Sequence, residues 1–379
     1  MSLYNELQQE IQSVEITYME DHFIIKNGEV FFKVGIKEGQ IIQDLQHGLD
    51  REELLNKHGL TITDFDKFIN ELRRIEILGE IKKEPFNILF LKYPFYNPTS
   101  VLEKINKLLH NNYIRFLLLW SSIFIILSAT YVLINNMNVM VDHAFQNVLH
   151  LHWYEYLILY VSIFTISVIH EMGHAITCRY YGGEVKYIGF LLLCFSPALY
   201  TDVSSTRLFK SKNEKVIVFL AGAYFELTIL AILILFRGYL EQYQLLIDIF
   251  VLGNLVAMIM NFIPFIRLDG YWILSAVTEI TNLYSKSLKV VIYVIKNRQL
   301  PQAKNVNVKF IFIYGIFNFV FLIFSIITGL YIFVEFFSYE GIAGWLKVAV
   351  IIFESTILAI ISYQIWKSFK NSILNDGTN

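Results

Sequence analysis

The stretch "YLILYVSIFTISVIHEMGHAIT", residues 156–177, is long and apolar enough to cross a lipid bilayer, yet it carries two imidazoles and a carboxylate. A spanning helix needs about 17–25 mostly apolar residues. Histidine and glutamate are costly in hydrocarbon, so an ionisable set at that depth marks a functional site. On an α-helix, residues i and i+4 share a face, so His170 and His174 can present two imidazoles to one ion. Glu171 lies beside them without being in line with either, placed to accept a proton from water at that ion. One stretch thus predicts both a membrane helix and metal-dependent hydrolysis.

The rest of the chain supports the membrane reading. Of its 379 residues, 55% are hydrophobic and 17% charged, against about 25% charged in a soluble domain. Runs of spanning length occur at 116–134, 156–177, 216–236, 245–266, 310–333 and 343–366. A seventh run, "YIGFLLLCFSPALY" at 187–200, is short and holds Pro197, so it reads as a re-entrant or interfacial segment. The expected fold is a multi-pass α-helical membrane protein with six spans, that extra segment and a tail at 367–379.

Lysine and arginine set the orientation. The inner loop 178–215 carries Arg179, Lys186, Arg207, Lys210, Lys212 and Lys215, and the inner segment 267–309 is equally basic, whereas the outer loops carry only Arg237. Both termini are then cytoplasmic, in a cell membrane. No inverted repeat of the transporter kind is visible. A net charge of −2 gives no reason to expect a nucleic-acid partner, and two cysteines, Cys178 and Cys194, make no disulfide framework.

Residues 1–85 are mixed in polarity and read as a small cytoplasmic α+β domain, joined by a linker at 86–115 to the membrane domain at 116–366. No cleaved signal peptide is expected. "HFIIKNGEVFFKV" places Asn27-Gly28 between two alternating apolar runs, a strong hairpin signal. Three helical patterns follow, beginning near Glu38, after Asp50 with Glu53 three residues on, and after Thr63. A hairpin with short helices resembles the winged-helix precursor-recognition domain of ribosomal-peptide maturation systems. That resemblance implies docking of a leader peptide as an added strand. A structural or regulatory cap is the other reading. The third helix mixes Asp64, Asp66 and Glu71 with Lys67, Arg73 and Arg74, so it offers no basic face for phosphates.

A zinc site with an open position takes three protein ligands. None of the nine histidines follows His174, so the third ligand is expected to be a carboxylate. Asp202, Glu226 and Asp269 are the candidates. Asp269 lies in "NFIPFIRLDGYW", residues 261–272, where Pro264 should break the helix and Gly270 permits a tight turn. Glu226 sits near the midplane and could bind metal, carry protons or brace Asn261. Asp202 reads as solvated loop. Gly173 and the Ala221-Gly222-Ala223 run read as helix packing, and Gly182-Gly183 as the turn of an edge hairpin or an ordinary loop.

His170-Glu171-x-x-His174 in one span, with Asn261-x-x-Pro264-x-x-x-Leu268-Asp269-Gly270 in a later one, resembles the site-2 protease family of intramembrane zinc metalloproteases. The resemblance implies that His170, His174 and Asp269 bind zinc, that Glu171 is the catalytic acid/base and that Asn261 supports the substrate or transition state. It also implies a substrate that is a membrane protein or a membrane-associated peptide. Where the family often has Gly-Pro-x-x-Asn between the motifs, this chain has Gly222-Ala223 and Glu226, and no PDZ insertion is visible. The front domain and "ALYTDVSS" look more like a bacterial peptide-processing subset. The competing expectation is a membrane accessory that binds peptide for export, maturation or immunity without cutting it.

Overall fold

A computed structural model of the chain describes residues 2–12, 14–19, 22–27, 30–74, 77–78, 90–193, 196–301 and 307–338. Two compact units divide the chain, Met1–Val256 and Ala257–Asn379.

The first unit begins with α1 (Ser2–Gln12), β1 (Glu15–Tyr18), β2 (Phe23–Asn27), β3 (Val30–Val34), α2 (Ile36–Gln46), α3 (Arg51–His58) and α4 (Ile62–Arg74). The strands form an antiparallel sheet in the order β1-β2-β3, and Asn27 opposite Val30 closes the expected hairpin. Helical spacing builds the core beneath it: Leu7 and Ile11 of α1, Ile41, Ile42 and Leu45 of α2, Leu54 of α3, and Phe65, Ile69 and Leu72 of α4 pack around Ile25. Sequence reading found neither α1 nor β1. The α1 stretch is polar apart from a narrow face, which the Tyr4 hydroxyl fastens by donating to the Leu49 carbonyl at 2.8 Å. The cap of α4 is Thr61, whose Oγ1 accepts from the Asp64 N–H at 3.2 Å, and the expected Thr63 lies inside the helix.

Residues 86–115 do more than link. They supply β4 (Phe90–Tyr96) and α5 (Thr99–Leu109). Next come the long α6 (Asn112–Asn147), whose Asn111 side chain caps the Tyr113 and Ile114 N–H groups, and α7 (Trp153–Tyr180). At 36 residues, α6 runs for about 54 Å, so 116–134 covers only about half of it. Gly182, at φ +85°, turns the chain out of α7. The Gly182-Gly183 pair therefore ends a helix and makes no hairpin turn. The hairpin follows, as β5 (Ile188–Leu193) and β6 (Ser196–Thr201). The run at 187–200, expected to be re-entrant or interfacial, contains strands: β4 pairs with β5 and β5 with β6 in a second antiparallel sheet. Pro94 is tolerated because β4 is an edge strand with its register broken between Pro94 and Tyr96.

Ser211 caps α8 (Lys212–Phe236) by accepting from the Asn213 N–H, and α9 (Gln244–Asn261) follows. Leu159 and Ile166 of α7, Leu230, Ala231 and Ile234 of α8, Val251 near the middle of α9, and Ala129 and Met140 of α6 share one apolar core. Beyond Asn261 come α10 (Asp269–Thr278), α11 (Leu283–Asn297) and α12 (Val308–Ser338). Tyr271, Leu283, Ile311 and Tyr314 make their core.

Among the described residues, five helices are long and apolar enough to cross a membrane: Asn112–His150, Trp153–Tyr180, Lys212–Tyr239, Glu241–Asn261 and Val308–Tyr331. They match five of the six expected spans, and the sixth, 343–366, lies outside the described residues. Their outer faces show Phe116, Trp120, Phe124 and Phe319 largely uncovered. An apolar face of that extent suits lipid and not water.

Candidate metal centre

The first half of the candidate centre is built where α7 meets α8. A Cβ on Gly173 would lie 2.7 Å from the Ala221 carbonyl oxygen, so only glycine lets the two backbones come this close. His170 and His174 flank Gly173 on the helix and are turned toward α8, both buried. Each ring is held from behind. His170 Nδ1 meets the Glu226 carboxylate at 2.9 Å, and His174 Nδ1 meets the Val218 carbonyl at 2.8 Å.

These partners assign the protons. A carbonyl only accepts, so His174 Nδ1 carries hydrogen and its Nε2 offers a lone pair in the neutral ring. An ionised Glu226 requires the same of His170. The two Nε2 atoms then face each other at 3.1 Å. Two nitrogens that bind one tetrahedral zinc at about 2.0–2.1 Å stand about 3.3 Å apart. The spacing of the pair therefore fits a shared ion. Space is kept open on the α8 side as well. A Cβ on Gly222 would lie 2.5 Å from both Nε2 atoms.

Glu171, the next residue on α7, is half-buried. Its backbone carbonyl accepts from Thr201 Oγ1 at 3.0 Å, which ties the end of β6 to the turn of α7 that bears the histidines.

The second unit holds the Asn261 and Asp269 motif. Helix α9 ends at Asn261, the chain turns through Pro264, and α10 starts at Asp269. The turn needs Gly270, because a Cβ there would lie 2.2 Å from the Phe262 carbonyl oxygen. It brings Asn261 Nδ2 to Asp269 Oδ2 at 2.7 Å, while the Asp269 N–H donates to Asn261 Oδ1 at 3.4 Å. Asn261 thus fixes a half-buried carboxylate at a helix N-terminus, where the helix dipole favours negative charge. Asp202 serves a different end, accepting from the Ser204 N–H at 3.1 Å within its own loop.

Two contacts escaped sequence reading. The Val218 carbonyl has no side-chain signal at all. Of the roles the sequence allows Glu226, a brace for Asn261 is not the one seen among its hydrogen bonds: its carboxylate meets His170.

Comparison with known proteins adds one relationship. Over 125 residues, 33% of this chain, the sequence is 30% identical to a Bacillus subtilis (strain 168) protein named as a candidate "peptide zinc metalloprotease protein YydH". The match spans 49% of that protein, about half its length. No protein-family model matches the chain, and no solved structure matches it.

Proposed function

We propose that this protein is an intramembrane zinc endopeptidase of the site-2 protease type, cutting a membrane protein or small precursor peptide near the cytoplasmic side of the bilayer. The observation that carries the reading is the His170–His174 pair: both rings are held by Nδ1, and both Nε2 atoms point into one gap beside Gly222. The relationship to a protein named for peptide zinc proteolysis supports it.

His170, His174 and Asp269 can each offer one ligand atom, two imidazole nitrogens and a carboxylate oxygen. That donor set leaves a fourth position open, the pattern of catalytic zinc. Zinc, when bound, polarises a carbonyl and brings the pKa of water toward neutrality. Asn261 orients Asp269, and Glu226 orients His170. Glu171 takes the proton from the attacking water and returns it to the leaving amine. A helical substrate hides its peptide bonds in its own hydrogen bonds, so it must be extended at the cut. The β6 edge, tied to α7 at Glu171, offers backbone groups with which such a strand could pair. In this reading both termini are cytoplasmic, and the front domain docks a leader peptide on a sheet edge.

Glu171→Gln keeps the shape of the site and removes the base. Peptides from native cells making wild type or the variant are compared by mass spectrometry, with zinc content measured on both proteins. A cleavage product present only with wild type, its rate lowered at least about 10²-fold in the variant, supports the enzyme. Equal peptide profiles with both proteins folded and zinc-loaded overturn it in favour of a peptide-binding accessory.

A further inference from the structure

Helix α8 carries three features of the centre at successive i+4 positions: the Val218 carbonyl, Gly222 and Glu226. That spacing places them on one face, one above another. The face is the one held against α7 by the Gly173–Ala221 contact. The rings of His170 and His174 stand 4.8 Å apart, centroid to centroid, and nearly perpendicular at 76°. Side chains on one helix with the i, i+4 relation need not adopt that mutual angle. Here each ring is oriented by α8, one through Val218 and one through Glu226.

The geometry points to α8 as the template of the metal site, with Gly222 as its obligatory opening and Glu226 as the positioning residue of His170. The inference rests on the zinc reading above and goes beyond it. Gly222 is more than a packing glycine: a methyl group there would lie 2.5 Å from each Nε2 and crowd both ligand atoms from the α8 side. The three atoms nearest that spot belong to the two rings, which are fixed by their own hydrogen bonds. Glu226 contributes two separable things. Its oxygen accepts the Nδ1 hydrogen, which fixes the tautomer and aims Nε2. Its charge makes the ring a stronger donor to a cation, an effect enlarged by burial. An amide at this position would supply the first and not the second.

The test uses full-length protein in detergent, with zinc affinity read by chelator competition and the ligand field read by the visible absorption of the cobalt-substituted form. Glu226→Gln should weaken zinc about tenfold and Glu226→Ala up to about 100-fold, both with an altered cobalt spectrum. Gly222→Ala should hold no stoichiometric zinc while helical content stays at the wild-type level. Gly253→Ala, on α9 where an added Cβ meets nothing within 4 Å, should leave all readouts unchanged. Because Glu226→Gln preserves volume, it decides the question even where Gly222→Ala lowers helical content. Wild-type affinity and spectrum in both Glu226 variants overturn the template. A folded wild-type chain that takes up no zinc overturns the zinc reading itself, which is a separate result.

Discussion

Two buried carboxylates in the same bundle are used in opposite ways. Asp248, near the start of α9 and fully buried, accepts from Arg237 Nε at 2.5 Å and Nη2 at 2.8 Å, and meets His143 Nδ1 at 2.8 Å. Glu226, in the middle of α8, meets His170, whose far nitrogen faces a second imidazole. The Asp248 cluster brings its own cation and is complete within the protein. The Glu226 cluster ends in two imidazole nitrogens that face one another at 3.1 Å, the pair to which the proposed function gives a metal ion. A buried carboxylate is therefore not by itself a sign of a catalytic centre. What its partner does with the other side of the ring decides.

The comparison breaks if removing Asp248 disturbs the metal centre or if it costs little. Asp248→Ala leaves the Arg237 guanidinium without its carboxylate and should destabilise the bundle by about 3–5 kcal/mol. Unfolding in mixed micelles measures this, and zinc affinity at a permissive temperature should equal that of wild type. Gly173→Ala acts from the other side. Its methyl pushes on the Ala221 carbonyl, so overpacking should cost about 1–3 kcal/mol and weaken zinc binding as α8 is displaced. Loss of stability without any change in zinc affinity would separate the helix contact from the site.

A third carboxylate sharpens the contrast by standing near water. Asp44 of α2 meets Lys57 at 2.8 Å and His58 at 2.7 Å, both from α3. Burial pushes its carboxyl up, but the hydrogen bonds and charges of Lys57 and His58 outweigh burial and hold it below the usual value of 3.8. A lowered folded pKa gives stability that is fully present above the ordinary value and is lost as pH falls through the lowered one. Asp44→Asn should cost at most about 1 kcal/mol, because the pair is partly solvated. Hydrogen exchange of α2 and α3 in the whole protein should show that difference at pH 6 and its progressive loss as pH falls below the usual carboxylate value.

The three clusters differ in how visible they are in the sequence. His170, Glu171 and His174 declare themselves, because their spacing and their place in an apolar run are both local facts. Asn261 and Asp269 are nearly as clear, since Pro264 and Gly270 announce the turn that joins them. Gly222 is not legible, because a glycine in an apolar helix looks the same whether it faces a neighbouring helix or two imidazoles. Asp248 is hidden inside the span expected at 245–266, because its partners lie in α6 and at the end of α8. The apolar run at 187–200 was ambiguous for a related reason: a short run with a proline becomes a strand only when β4 is there to pair with it.

That pairing also orders events in time. Tyr96 and Ile188 meet in one ladder about 90 residues apart. Helices α6 and α7 intervene, so β4 leaves the ribosome long before its partner exists. Local helices form quickly, whereas a ladder closed over such a distance forms late. The sheet that adjoins Glu171 is then assembled only after both helices are made, and a chain halted within α7 would carry the histidines without it.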